Sequence, residues 1–205
     1  MRAQMKWMLL MVPLAAWASP TLADPATAAW SNSSLIQSEA MSDFRGVVGV
    51  NVAAGVDNAQ INATSIALGA ERGRGIAKNQ IRQELNVEMP ALPYEGDSKI
   101  EGSAFTHSHG VISVNQASGV GNAQANGVAI SVGVGVESLS ENELAQTVTV
   151  ARQGNVATAA TQGPRSAIVD ERAFGGARGV VQLNQSAGVG NATANGFSLN
   201  ISNPQ

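Results

Sequence analysis

Side chains able to carry out chemistry are few in this chain of 205 residues, which has two histidines and no cysteine. The histidines, His107 and His109, form a His-x-His pair that would share one face of a strand, as in some transition-metal sites. Because a third histidine and any cysteine are missing, we expect no metal centre and no cofactor. The same shortage, without a G-x-S-x-G, Walker or dinucleotide-binding motif, predicts that the chain is not an enzyme.

Side-chain amides, in contrast, recur at a fixed spacing. Three segments of 23 residues, 46–68, 110–132 and 179–201, align without a gap at offsets of 64 and 69 residues. We call them the first, second and third copies. Such self-similarity predicts a repeat architecture in which the copies stack on one another. A β-sandwich with a chance resemblance among its strands is the alternative, which a gap-free match of this length disfavours.

Each copy has the pattern of two strands joined by a glycine-rich corner. In the first copy, Val48 and Val50 alternate with small or polar residues, and residues 64–68 alternate again. A period of two is typical of a strand with one buried face. Gly55 and Asn58 lie between the halves, and both residue types accept the backbone conformations that a tight corner requires.

One asparagine of each copy falls by parity on the apolar face of its second strand. These residues are Asn62, Asn126 and Asn195. A lone buried amide would leave its polar atoms unpaired, at a cost of about 1–3 kcal/mol. Identical asparagines one strand spacing apart can bond to each other as a ladder, so we expect the copies to stack in register. Charge placement agrees, because Asp57 is the single charged residue of the three segments and stacked like charges repel.

The pattern therefore predicts an all-β fold, with three stacked β-arch repeats forming a short β-solenoid or cross-β unit and with partly disordered linkers. The expected boundaries are a signal peptide at 1–23, a polar leader at 24–41, repeats at 42–68, 101–133 and 170–201, linkers at 69–100 and 134–169, and a tail at 202–205.

The first residues have the features of a secretory signal. Arg2 and Lys6 precede an apolar stretch at 7–17 that is too short to span a bilayer, and residues 21–23 or 16–18 fit a cleavage site. We expect an exported chain with no membrane span after cleavage. Cleavage after Ala23 would leave 10 basic residues against 15 acidic ones, a net charge of −5, which argues against nucleic acid as a partner.

Segment 49–60, Gly-Val-Asn-Val-Ala-Ala-Gly-Val-Asp-Asn-Ala-Gln, resembles the repeat of the Fap-type functional amyloid proteins of bacterial biofilms, as does segment 114–126. Three repeats separated by longer linkers are also the layout of that family, and the spacing is distantly similar to that of curli subunits. The Cys-x-x-Cys of the major fibre subunit is absent from this chain, and Thr193 stands where the other copies have glutamine.

The resemblance implies a protein that crosses the outer membrane through an export machinery and forms extracellular cross-β fibres with itself and with related subunits. It also implies a fibre core made of Asn51, Gly55, Asn58, Gln60, Asn62, Asn115, Gly119, Asn122, Gln124, Asn126, Asn184, Gly188, Asn191 and Asn195. Two other functions stay open. One is a monomeric secreted or surface-bound β-solenoid adhesin, which would need polar caps at its ends. The other is a periplasmic assembly partner of such fibres.

Overall fold

The computed structural model describes residues 30–69, 76–88, 94–134, 144–153 and 163–203. Within these ranges the chain forms eleven β-strands and no helix, which confirms the all-β class. The expected signal peptide, 1–23, and the last two residues of the expected tail, 204–205, lie outside the described ranges. The strands are β1 (Trp30–Ile36), β2 (Arg45–Val56), β3 (Ala59–Leu68), β4 (Asn79–Glu88), β5 (Tyr94–Ile100), β6 (His109–Val120), β7 (Ala123–Val134), β8 (Leu144–Gln153), β9 (Arg165–Val169), β10 (Arg178–Val189) and β11 (Ala192–Asn203).

The strands pair in parallel into four sheets, β1-β5-β9, β10-β6-β2, β11-β7-β3 and β4-β8. The register follows the offsets of the repeat. Gly110 of β6 pairs with Gly46 of β2 on one side and with Gly179 of β10 on the other. The second strands of the copies pair in the same way. Equivalent residues of the three copies therefore lie one strand spacing apart.

Side-chain amides join neighbouring sheets. Gln116 of β6 donates from Nε2 to the carbonyl oxygens of Ser34 and Lys99, both at 2.9 Å, and so ties the first sheet to the second. Asn79 of β4 donates from Nδ2 to the carbonyls of Ala63 and Val128 at 3.0 and 2.6 Å, and ties the fourth sheet to the third. The first and fourth sheets are built from segments that we assigned to the leader and linkers.

The apolar core lies between the first and second sheets. Ile100, Ile112 and Val114 are fully buried there with Phe105. The ring of Phe105 stacks on that of Phe174, with 4.9 Å between centroids and 3° between planes. Large apolar side chains are also buried outside this cluster, such as Ile81 of β4 and Val128 of β7, which are 3% and 0% exposed.

The turn before each first strand is also repeated. Phe105 N–H donates to the Ala40 carbonyl, and Phe174 N–H donates to the Ala104 carbonyl, both at 2.8 Å. This register places Met41 at the position of Phe105 and Phe174, and all three residues have φ between 56° and 60°. Met41 is therefore the first-copy equivalent of the two phenylalanines.

The sequence pattern predicts one buried face for the second strand of each copy, and the middle strand differs. Both faces of β7 are covered, because Asn126 points toward β6 while Ala125 and Ala129 are buried as well. The fourth sheet packs on the face that we expected to be open. At the outer strand β3, in contrast, Ile66 and Leu68 are 51% and 77% exposed.

Candidate self-assembly core

Two ladders of asparagine run across the three copies. In the ladder of the second strands, Asn126 Nδ2 donates to Asn62 Oδ1 at 2.9 Å, and Asn195 Nδ2 donates to Asn126 Oδ1 at 3.0 Å. In the ladder of the first strands, Asn115 Nδ2 donates to Asn51 Oδ1 at 3.0 Å. Asn184 Nδ2 donates to Asn115 Oδ1 at the same distance. Each buried amide thus bonds to its own equivalent in the next copy.

The two ladders are also bonded to each other, because the two strands of one copy face one another across the interface between the second and third sheets. Asn62 Nδ2 lies 2.8 Å from Asn51 Oδ1, and Asn126 Nδ2 lies 2.9 Å from Asn115 Oδ1. Diagonal bonds complete the network, since Asn115 Nδ2 also reaches Asn62 Oδ1 at 3.0 Å. A continuous network of amide groups therefore joins the second and third sheets.

The corner carries a third column of asparagine. Asn122 Nδ2 donates to Asn58 Oδ1 at 2.9 Å, and Asn191 Nδ2 donates to Asn122 Oδ1 at 2.7 Å. All three residues lie in the two-residue link between the first and second strands of their copy, directly before the second strand. Asn122 also donates to the Gly188 carbonyl at 3.0 Å, so this column fixes the corners of adjacent copies to each other.

The corner glycines allow the close approach of the copies. Gly55, Gly119 and Gly188 have φ of 108°, 113° and 147°, a region that favours glycine. A Cβ on Gly55 would meet the Gly119 carbonyl oxygen, and a Cβ on Gly119 would meet that of Gly188. A Cβ on Gly188 would meet only the side chains of Asn191 and Arg165, the nearest atom at 3.1 Å.

The glutamine column changes at the third copy. Gln60 Nε2 donates to Gln124 Oε1 at 2.8 Å, whereas Gln124 Nε2 donates to Ser186 Oγ at 3.0 Å. Thr193, which pairs with Gln124 in the strand register, has a buried hydroxyl with no hydrogen-bond partner among the described residues. A serine on the facing strand thus replaces the missing glutamine as the acceptor.

Burial divides the copies into a middle and two ends. The amides of the second copy, Asn115, Asn122, Gln124 and Asn126, are fully buried, whereas Asn51 of the first copy is exposed. In the described part of the chain, β2 and β10 are the edges of the second sheet, and β3 and β11 are those of the third. The first-copy end is therefore the more open one at this position, because the third-copy equivalent Asn184 is only 6% exposed.

Charged groups lie at the margins of these sheets. In the turn before β10, the Arg172 side chain donates to Asp170 Oδ1 from Nε at 3.2 Å, and this bond lowers the pKa of Asp170 to about 2. Asp170 in turn raises the pKa of Arg172. On the first sheet, the hydrogen bond to Glu101, with Nζ and Oε1 2.7 Å apart, raises the pKa of Lys99. The side chains of Arg172, Lys99 and Glu101 are largely exposed, whereas that of Asp170 is 28% exposed.

The two histidines do not share a strand face. His107 lies in a turn with φ of 54°, and His109 is the first residue of β6, paired with Arg45 and Arg178. Over the described ranges, no cluster of three or more metal-ligating side chains occurs. The described residues also contain no helix that is long and apolar enough to cross a membrane.

The sequence pattern did not predict the contacts of Gln185. Gln185 Nε2 donates to Gln116 Oε1 at 2.9 Å, and also to the carbonyls of Ser98 and Ile168 at 3.1 and 2.9 Å. This glutamine column ties the second sheet to the first, and the first copy has Val52 at the same position. A signal was available, because Gln116 and Gln185 align within the copies.

No solved structure matches this chain. A family model, described as the functional amyloid protein FapB/FapC family, matches residues 15–202, which include every described residue except Asn203. The match covers the three copies together with the segments between them. With its amide ladders, parallel in-register sheets and three-copy layout, the chain belongs to the functional amyloid protein FapB/FapC family.

Proposed function

We propose that this protein is an exported structural protein that self-assembles into extracellular amyloid fibres for biofilm matrix and adhesion. In this proposal the three copies are stacked β-arches of a short solenoid, and the fibre continues the same stack from one molecule to the next. Its partners are further copies of itself, related fibre subunits and an outer-membrane export machinery. Its role is mechanical, and it carries out no catalysis.

The hydrogen bonds of Asn51 and Asn115 carry the proposal. Asn115 Nδ2 donates to three acceptors of the first copy, Asn51 Oδ1, the Ile61 carbonyl and Asn62 Oδ1, at 2.9 to 3.0 Å. Asn51 is the first-copy equivalent of Asn115. In the described chain, no further copy pairs with the outer side of the first copy. The equivalent acceptors for Asn51 are those of the third copy of a second molecule, at Asn184, Ala194 and Asn195.

The edge strands support the same assembly. β2 and β10 are each 12 residues long and carry one charge each, Arg45 and Arg178, at their first residue. β3 and β11 carry no charge. Soluble proteins commonly block such edges with charges, prolines or bulges, because a long unpaired edge is a template for another chain. These edges favour a polymer over a monomeric adhesin, which would need polar caps at both ends.

The two edges differ from each other, and this determines how molecules would join. The first-copy edge presents amide donors, and the third-copy edge presents the matching acceptors. A contact between two different surfaces of identical molecules is heterologous, and it produces an open filament when the rotation does not close. We therefore expect head-to-tail growth, with the third copy of one molecule against the first copy of the next.

Fibre growth by the processed chain tests the proposal. Residues 24–205, which retain every described residue, would be incubated at micromolar concentration with and without preformed fibres as seeds. We expect seeded growth and fibre diffraction with reflections near about 4.7 and 10 Å. A soluble monomer that melts cooperatively and does not elongate seeds would contradict the proposal and leave the adhesin or the assembly partner.

A further inference from the structure

An apolar cavity opens at the first-copy end of the core between the first and second sheets. Its volume is about 370 Å³, and its lining includes Ile36, Met41, Val50, Val52 and Phe105. Met41 is 46% exposed there. We propose that Met41 is an oxidation site, and that its conversion to the sulfoxide blocks addition of a molecule at this end of the fibre. The inference rests on the proposed head-to-tail assembly.

The occupant of the cavity is the third-copy end of a second molecule. The apolar columns that line it continue through the molecule, from Ile36 to Ile100 and Val169, and from Val50 to Val114 and Leu183. One further step along each column would place Val169 and Leu183 of a second copy over the cavity. The same step would place its Phe174 beside Met41.

Met41 would then lie between two aromatic rings. Its backbone is in register with Phe105, whose ring already stacks on Phe174 at 4.9 Å within the molecule. A thioether packs well against an aromatic ring and adapts to an irregular apolar gap. Met41 is thus buried in the interior of a fibre but exposed in the free molecule and at the first-copy fibre end.

Oxidation would change this contact in a defined way. A peroxide transfers one oxygen atom to the Met41 sulfur, which is oxidised by two electrons to the sulfoxide, while the peroxide is reduced to water or an alcohol. The sulfoxide is polar and disrupts apolar contacts. The modified residue would place an S–O dipole against the apolar ring of Phe174 of the incoming molecule.

The experiment uses residues 24–205 carrying Met89→Leu, because Met41 is then the only methionine of this chain. Peroxide-treated monomers, with sulfoxide verified by mass spectrometry, would be added to untreated seeds. We expect elongation about tenfold slower than for untreated monomers, equivalent to about 1.4 kcal/mol. The control adds Met41→Leu, and each variant is compared with its own untreated sample, so the treated and untreated control should elongate at equal rates.

A second measurement does not depend on the folding of the modified chain. In fibres grown before treatment, Met41 should oxidise much more slowly than in monomers. Equal oxidation in fibres and monomers, unchanged elongation of the oxidised chain, or equal inhibition of the control would each overturn the inference while leaving the fibre itself established. If the untreated chain forms no fibres, the proposed function fails instead, and this inference fails with it.

Discussion

Asn115 Nδ2 donates to Asn51 Oδ1 at 3.0 Å, and Asn51 donates no hydrogen bond to Asn115 in return. Asn62 Nδ2 reaches the same oxygen at 2.8 Å. The inner copy therefore uses the whole amide, whereas the outer copy uses only its carbonyl. This difference separates what holds one molecule together from what would join two molecules.

The substitution Asn51→Asp should stop fibre growth and leave the fold nearly intact. An aspartate retains the oxygens that accept from Asn115 and Asn62, and it loses only the N–H groups that face another molecule. Its negative charge would also lie against the acceptors of the incoming third copy. We expect seeded elongation to fall at least tenfold, a loss of about 1.4 kcal/mol per junction, with a small change in the unfolding midpoint of the monomer.

The matched control is Asn115→Asp, which is the same change at the same position of the middle copy. There the lost N–H groups bond within the molecule, and the charge is fully buried without a cation. Leaving a buried charge unpaired costs about 3–5 kcal/mol, so this variant should lose the fold. If Asn51→Asp elongated seeds at the normal rate, the proposed junction would be wrong.

Gly188→Ala and Gly119→Ala form a second pair. Both glycines have positive φ, so alanine carries a similar backbone strain of about 1–3 kcal/mol at either position. A Cβ at Gly119 also meets the Gly188 carbonyl within the molecule. At Gly188 the equivalent carbonyl would belong to Gly55 of the next molecule. We expect Gly119→Ala to be the less stable monomer in denaturant titrations. Gly188→Ala should show the larger loss of elongation rate relative to its loss of monomer stability.

The glutamine column offers a double-mutant cycle. Ser186→Ala should destabilise the chain, because it removes one of the two acceptors of Gln124 and leaves only the Gln116 carbonyl. Thr193→Gln combined with Ser186→Ala should recover stability, since the new glutamine can accept from Gln124 as Gln124 accepts from Gln60. We expect a favourable coupling of about 1 kcal/mol in urea unfolding. Additive effects would show that the column is not a cooperative unit.

Acid should weaken the turn before β10. The hydrogen bond from Arg172 holds the pKa of Asp170 at about 2, below its ordinary value of 3.8, so the folded chain favours the carboxylate. The stabilisation is fully present at a pH above the pKa that Asp170 has in the unfolded chain. It is lost as the pH falls through the pKa that Asp170 has in the folded chain. We expect the unfolding midpoint to drop between about pH 4 and pH 2, and Asp170→Asn to flatten that part of the profile. Arg172→Gln should act in the same way, and both effects should shrink at high salt.

The sequence predicted the column of Asn62, Asn126 and Asn195, because identical buried amides have few other ways to be satisfied. It did not predict that Asn51 faces Asn62. That contact could have been found by folding the copy at its corner, since the two residues lie at nearly equal distances from Asp57.

The first sheet was harder to predict, because its strands share little sequence. Strands Trp30–Ile36 and Tyr94–Ile100 agree only at two buried positions, Ser34 with Ser98 and Ile36 with Ile100. Their other positions differ, and the outward ones face water, where many side chains are tolerated. Two identical residues in a seven-residue alignment are too weak a signal to separate a strand from a linker.

In the proposed fibre, the third copy of one molecule contacts the first copy of the next. Leu35 and Ile168 belong to one outward column of the first sheet and are 43% and 49% exposed. Within a molecule they lie two strand spacings apart, about 9.5 Å, which exceeds the reach of a disulfide. Because the chain has no cysteine, Leu35→Cys with Ile168→Cys gives an unambiguous cross-link.

The measurement is peptide mapping of disulfides formed by oxidising fibres of this double variant. We expect position 35 of one molecule to be joined to position 168 of another, with multimers in non-reducing electrophoresis. Fibres that diffract as cross-β but link 35 to 35 and 168 to 168, or that form no disulfide, would contradict head-to-tail stacking.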